Sequence, residues 1–330
     1  MVVLGAASQR GRGAAPTSAA LMAAMEAGVL KNEKILLTGP TSQVAFPIAR
    51  ELAKHNQVYG LSRLSSAGDR ARLEAIGLKC ISADMANDTF DHVPDDFTYV
   101  LNFAVLKTDS FDQDLAANAE GLGRLMYRCR NAKAWLHASS SGVYHHAGHQ
   151  PRKETDPLGE NHRIILPTYS LSKIAAEVMA RFGARQWNIP TTIARFNVTY
   201  GNNGGWPSLH LDWLVAGSPI PVHPERPNLF SPIHEDDYIA FVPKLLAIAG
   251  VPATITNLAG PPLSVEDWCL YIGRLIGVEP RFVETDRVLA SIVLDLTRMH
   301  QLVGATAVDW RDGMRRMIQA RHPETPLRGA

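Results

Sequence analysis

Between Lys34 and about Tyr200, short aliphatic and β-branched runs alternate with longer stretches in which apolar residues recur every three to four positions. That alternation predicts strands joined by crossover helices, and therefore a parallel sheet. The predicted strands are Lys34–Leu37, Gln57–Leu61, Lys79–Ser82, Tyr99–Asn102, Ala134–Ala138 and Thr191–Phe196, and each runs into a loop carrying polar residues. In open parallel sheets ligands bind beyond the carboxyl ends of the strands, so chemistry is sought in those loops. From Gly201 to about Pro232 the rhythm breaks into Gly, Asn and Pro clusters, which predicts an excursion out of the sheet. It resumes with a predicted helix over His234–Ala249, a late strand at Thr254–Leu258 and a helix over Ser264–Gly277 that opens on a Ser-x-Glu-Asp cap. The tail beyond Arg281 is helical and mixed in pattern, and Val288, Leu289, Ile292 and Val293 fall at helical spacing as core positions.

This order divides the chain. Residues 1–32 form an arm rich in Ala, Gly and Arg, with room for a short helix over Ser18–Leu30. Residues 33–200 and 232–260 belong to the sheet domain, and 201–231 with 261–330 assemble a smaller lobe from two separate pieces. A chain of 330 residues is long enough for both.

Composition narrows the function. A hydrophobic fraction of 46% and a net charge of +1 describe an ordinary globular chain with no field to gather polyanions, so nucleic acid is not an expected partner. Cys80, Cys129 and Cys269 are odd in number and far apart. They make neither a disulfide framework nor a Cys-x-x-Cys metal site, and a reducing cytoplasm is the expected compartment. Glu26 and Lys31-Asn32-Glu33 disagree with a secretory leader, and no apolar run reaches the ~18 residues of a membrane span.

The first strand is followed by Gly39-Pro40-Thr41-Ser42-Gln43-Val44 and a helical stretch. A strand, tight turn and helix start in that order offer free backbone N–H groups and the positive helix end to a pyrophosphate. Ser42 and Ala45 stand where a Gly-x-x-Gly-x-x-Gly turn would carry its later glycines, so the turn reads equally as an ordinary βα connection. The second strand ends in Ser62-Arg63, without the acid that usually binds both ribose hydroxyls of NAD. Arg63 suits a 2′-phosphate instead, which favours NADP over NAD.

Tyr169 and Lys173 lie four apart in a helical stretch, one turn apart on one face. Bringing a phenol from its reference pKa near 10 to neutrality takes roughly 4 kcal/mol of preferential phenolate stabilisation. One ammonium at ~4 Å in an effective dielectric of ~20 supplies about that much. A Tyr-x-x-x-Lys pair alone is common by chance, but the fifth strand also ends in Ser139-Ser140-Ser141-Gly142-Val143-Tyr144 at the ligand edge.

Taken in order, Thr38-Gly39, Ser-Ser-x-x-Val-Tyr, Tyr-x-x-x-Lys and Arg195-Phe196-Asn197-x-x-Tyr200-Gly201 resemble the extended short-chain dehydrogenase/reductases, or NAD-dependent epimerase/dehydratases, from about Lys34 to about Met317. The resemblance implies an α/β fold with a doubly wound, Rossmann-type parallel sheet and a smaller, mostly helical C-terminal substrate lobe. It implies that Ser140 holds the reacting oxygen, that Tyr169 transfers its proton, and that Lys173 also binds the nicotinamide ribose. Asn118 resembles the asparagine supporting a proton-relay water, Asp84 the acid receiving the adenine amino group. Ala104 sits where the fourth-strand loop passes the cofactor, and Asn197 beside the nicotinamide; Gly39, Thr41, Ser42, Gln43 and Val44 would cradle it. A homodimer is compatible with the family.

Two departures bear on substrate. Asn102 stands for a histidine common at the end of strand four, and Phe230 for the arginine that holds the diphosphate in nucleotide-sugar members, with Arg226 near enough in sequence to take over. The leading expectation is therefore hydride transfer between nicotinamide and a carbonyl or alcohol. The alternatives are a nucleotide-sugar epimerase or dehydratase with retained NAD, and a non-catalytic dinucleotide-binding sensor or scaffold. His145, His146 and His149 lack a completing carboxylate or cysteine and read as a cleft loop rather than a metal site. Trp206, His210, Trp213 and His223 read as packing and surface of the lobe, and Asp236-Asp237 as helix-start acids.

Overall fold

The computed structural model describes residues 28–328. The expected arm helix lies outside them apart from its last three positions, which are not helical. Seven strands form the central sheet: β1 (Lys34–Thr38), β2 (Gln57–Ser62), β3 (Lys79–Ser82), β4 (Tyr99–Asn102), β5 (Ala134–Ser140), β6 (Thr191–Phe196) and β7 (Thr254–Leu258). Their order is β7-β6-β5-β4-β1-β2-β3, with every pairing parallel. This is a doubly wound Rossmann-type α/β fold. The winding reverses between β1 and β4, the kind of switch point at which open α/β sheets bind ligands. Helices cover both faces, so β5 and β6 are buried along their whole length and carry near-continuous apolar and small residues rather than an alternation.

The helices that position the site are α1 (Ala45–Ala53), α2 (Ala67–Glu74), α3 (Phe111–Leu115), α4 (Gly121–Arg128) and α5 (Tyr169–Gln186), with a π-helical turn over Ala116–Glu120 between α3 and α4. Burial of Phe46, Ile48, Ala49 and Leu52 holds α1 on the sheet. Helix α5 buries Ala176, Ala180, Gly183 and Ala184, small residues that let its axis come close to its neighbours. The remaining helices are α6 (Trp206–Val215), α7 (Glu235–Ala247), α8 (Val265–Ile276), α9 (Thr297–Val303) and α10 (Trp310–Arg321). As its sequence predicts, α8 is opened by Ser264, whose hydroxyl accepts from Asp267 N at 2.9 Å, and closed by Gly277 at φ 75°.

A second core joins Tyr200, Leu211 and Phe230 to Trp268, Ile272, Met314 and Met317, so the excursion after Gly201 packs on the segment beyond Pro261. One expectation is overturned. Val288, Leu289, Ile292 and Val293 are not helical: Ile292 N bonds Leu229 O, Arg152 N bonds Val293 O and Asp295 N bonds Arg152 O, so the backbone is spent on neighbouring segments. Leu289, Ile292 and Val293 are buried nonetheless.

Candidate active site

The β1 turn and the β4 loop meet at the switch point. Gly39 has φ 65°, and a Cβ there would stand 3.0 Å from the backbone N and Cα of Ala104, so only glycine lets the two segments touch. Thr38 fixes the other side: its hydroxyl accepts from Phe103 N and Ala104 N and donates to Asn102 Oδ1 at 2.7 Å. Asn102 in turn bonds His137 Nδ1 at 2.9 Å, so a buried polar chain crosses β1, β4 and β5. Asn102 is thus a link between strands. Burial, with Lys173 nearby, keeps the His137 ring well below the ordinary histidine range, and its Nε2 has no partner among the described residues.

Ser42, the residue in place of a glycine, turns back on the helix: its hydroxyl accepts from Ala45 N at 3.2 Å and its carbonyl from Phe46 N. The N–H groups of Thr41, Gln43 and Val44 carry no hydrogen bond among the described residues. These donors lie at the start of α1, where free N–H groups suit an anion such as a pyrophosphate. A groove of about 210 Å³ runs from this turn along the strand ends, lined by Gly39, Thr41, Ser42, Arg63, Asp84, Ala104 and Asn118. Arg63 is exposed at the end of β2. The Asp84 carboxylate accepts from Ala86 N at 2.9 Å and Asn87 Nδ2 at 3.1 Å, which shapes the turn after β3. Gln43 faces the other way, accepting from Thr199 Oγ1 at 2.9 Å and so tying the turn to the lobe.

A larger cavity of about 610 Å³ adjoins β5 and α5, and Ser140, Tyr169 and Asn197 line it. Ser140 ends β5, where its hydroxyl accepts from Gly142 N at 3.0 Å. Burial raises the Tyr169 phenol above its ordinary value, and a hydrogen bond with Ser140 opposes that by favouring phenolate. Lys173 is buried and its ammonium donates to Ala138 O at 2.7 Å. Burial, then the Lys107 charge, bring it down to about 8 against the pull of Glu177. The expected acidification of Tyr169 by Lys173 is therefore absent in this arrangement, because the ammonium is committed to a carbonyl and is itself disfavoured by burial.

Asn118 lies in the π-helical turn, and both of its amide N–H groups are used: Oδ1 accepts from Leu106 N at 2.7 Å, and Nδ2 donates to Leu106 O and Ser172 Oγ. The Asn197 amide is likewise spent, donating to Ser141 Oγ and Ile292 O and accepting from Val198 N and Ser231 N. Both clip loops around the cavity.

Several residues on the cavity wall and behind it were not singled out from the sequence. Lys107 places its ammonium 5.2 Å from the Tyr169 ring centre, and the His162 ring lies 5.3 Å from it, held neutral by burial at about 4. Asp114 anchors the Lys107 loop by accepting from Thr108 N and from the hydroxyls of Thr108 and Thr168. Glu177 forms a buried bidentate pair with Arg195 at 2.8 and 2.7 Å and accepts from Ser139 at 2.5 Å. Its signal was present: Tyr169, Lys173 and Glu177 continue one stripe at four-residue spacing. Trp206, His210 and Trp213, expected as packing and surface, stand on the cavity wall with Phe230.

Other candidates are not brought in. Arg226 bonds Glu266 at 2.9 Å, lies 3.7 Å from Glu284 and does not line the cavity, so it does not replace the missing arginine. His146 pairs with Glu225 and His149 with Pro227 O, and no cluster of metal-ligating side chains occurs among the described residues. Asp237 accepts from Ala307 N and Asp236 from Arg316, while His234 caps α7. No helix among the described residues is long and apolar enough to cross a membrane.

Residues 35–216 match the model of the NAD dependent epimerase/dehydratase family. No curated protein sequence matches the chain. Among solved structures, UDP-glucuronic acid 4-epimerase from Bacillus cereus, in complex with UDP-glucuronic acid and NAD, is 17% identical with a TM-score of 0.75, over 87% of this chain and 98% of that one. DesIV, a dTDP-glucose 4,6-dehydratase from Streptomyces venezuelae with NAD bound, is 20% identical with a TM-score of 0.74, over 88% and 97%. UDP-N-acetylglucosamine 4-epimerase from Methanobrevibacter ruminantium is 16% identical with a TM-score of 0.75, over 89% and 100%.

Proposed function

The chain belongs to the NAD dependent epimerase/dehydratase family, a family of enzymes, and from that premise we propose that it is an oxidoreductase moving hydride between a nicotinamide cofactor and a carbonyl or alcohol substrate. The observation that carries this reading is the convergence of Ser140 and Tyr169 on one cavity beside a groove that ends at Gly39, Ser42 and Arg63. A nicotinamide supplies or accepts the hydride. Tyr169 donates its proton to the carbonyl oxygen as the alcohol forms, and Ser140 holds that oxygen by hydrogen bond. A phenol raised by burial stays protonated near neutrality, so it is present there in the form that gives a proton to a carbonyl oxygen. Lys173 sits one turn from Tyr169, where it orients the cofactor ribose. Thr41, Gln43 and Val44 offer N–H groups to the pyrophosphate, and Asp84 stands toward the adenine side of the groove.

NADP is proposed over NAD because Arg63 lines the groove at the end of β2 with no acid beside it in sequence. Titration with NADPH and NADH tests both points. Wild type is expected to bind NADPH more tightly, and Arg63→Ala to lose tenfold or more of that preference while NADH affinity stays put. Equal loss for both dinucleotides would sink the assignment of Arg63, and failure of both to bind would sink the reading as a whole. The second reading, a nucleotide-sugar epimerase or dehydratase that keeps NAD, draws support from the fold likeness to enzymes of that kind and is weakened by Phe230.

A further inference from the structure

The wall of the larger cavity is divided chemically. At the Tyr169 end stand Ser140, Lys107 and His162; toward the lobe stand Trp206, Trp213, Phe230, Leu209, Leu289 and Ile292. No carboxylate lines it, and Lys107, the one lining cation among the described residues, stays beside the Tyr169 ring. Most polar wall atoms are already paired within the protein: Asn197 with Ser141, Thr199 with Gln43, and Gln43 Nε2 with Gly204 O. A diphosphate placed toward the lobe would lose its hydration and gain no cation, which is strongly unfavourable.

His210 is the exception. The Trp268 indole N–H donates to its Nδ1 at 2.8 Å. Indole only donates, so Nδ1 must be the acceptor, and the proton of the neutral ring resides on Nε2. Burial brings the ring down to about 3, so it is neutral across physiological pH. The ring is held in place by stacking on Trp268 and by contact with Trp206 and Trp213 at ring distances of 5.4 to 5.7 Å. Its Nε2 has no partner among the described residues, and the ring, only 1% exposed, lines the cavity.

Resting on the hydride-transfer reading, we infer that the substrate is an uncharged, largely aromatic or aliphatic carbonyl or alcohol compound, whose far end carries one hydrogen-bond acceptor for His210 Nε2–H. Aromatic rings suit the Trp206, Trp213 and Phe230 wall, and a single donor in an apolar surround fixes orientation rather than adding bulk affinity.

Calorimetric titration of the full chain, with and without NADP, tests this. The probes are 4-phenylbutan-2-one, its para-methoxy counterpart, longer-chain homologues of each, UDP-glucose and dTDP-glucose. The ketones are expected to bind and the nucleotide sugars not, with at least one methoxy ketone favoured about tenfold over its phenyl partner. His210→Phe should abolish that preference and His210→Gln, which keeps an N–H donor, restore it; the wild-type ratio reads the same claim should a variant fold poorly. Tighter binding of UDP-glucose or dTDP-glucose than of every ketone, or a methoxy-to-phenyl ratio near one throughout, overturns the inference. Ketones that bind but leave NADPH unoxidised, in a parallel absorbance assay with NADPH in place of NADP, uphold the cavity chemistry and refute hydride transfer.

Discussion

At the scale of single residues, Lys173 shows how the site departs from a simple ammonium–phenol pair. Its ammonium donates to Ala138 O, and burial brings it from an ordinary 10.5 to about 8, which corresponds to about 3 kcal/mol of folding free energy given up. The sign follows from proton linkage: between pH 8 and 10.5 the unfolded chain holds a proton that the folded chain releases. The cost is thus fully present below pH 8 and fades as pH rises toward 10.5. Lys173→Met is expected to raise stability at pH 7 by about 1–2 kcal/mol after the lost hydrogen bond is counted, while turnover disappears. The two proteins should converge above pH 10.5 in thermal melts, and a lower melting temperature for the variant at pH 7 would refute the linkage. Tyr169 adds a pH dependence of its own. Because burial raises the phenol, alcohol oxidation, which needs phenolate, should speed up from pH 7 to 9, while ketone reduction stays level or falls; a bell centred near pH 7 for oxidation would oppose this.

At the scale of elements, Glu177 on α5 holds β5 and β6 together by pairing with Arg195 and Ser139. Truncating one partner of a buried pair leaves an uncompensated charge, so Glu177→Ala should cost about 3–5 kcal/mol in denaturant unfolding. A loss under 1 kcal/mol would show that the pair is dispensable. The β1 turn carries a different constraint. Gly39→Ala forces a Cβ against Ala104 and a side chain into left-handed backbone, and dinucleotide affinity should fall tenfold or more. Elements of this kind were largely legible beforehand. β3, β4, β6 and β7 match their predicted bounds; β4, β6 and β7 are mostly buried on both faces, and all four are short runs set off by turn residues. Where the prediction failed, at Val288–Val293, apolar residues at helical spacing lie in extended chain because their backbone partners come from Leu229 and Arg152, distant in sequence.

Across the whole molecule, the larger cavity is lined both by residues at strand ends and helix starts of the central sheet and by residues of 206–230 and 288–292, and that juxtaposition explains which residues were legible. Ser140, Tyr169 and Arg63 sit at strand ends or helix starts, where local pattern places them. Lys107, His162, His210 and Trp206 reach the cavity from loops and from the excursion, so nothing in their own neighbourhoods announces it. Asn118 and Asn197 line the groove and the cavity, and their amides also bond neighbouring loops, contacts visible only once Leu106, Ser231 and Ile292 are in place.

Stopped-flow measurement of NADPH oxidation by wild type and Tyr169→Phe, with a ketone shown to bind both, addresses the central claim most directly. The account predicts equal binding of NADPH and ketone by the two proteins and a hydride-transfer rate lower by about 10²–10⁴ in the variant. Equal rates in the two would contradict it.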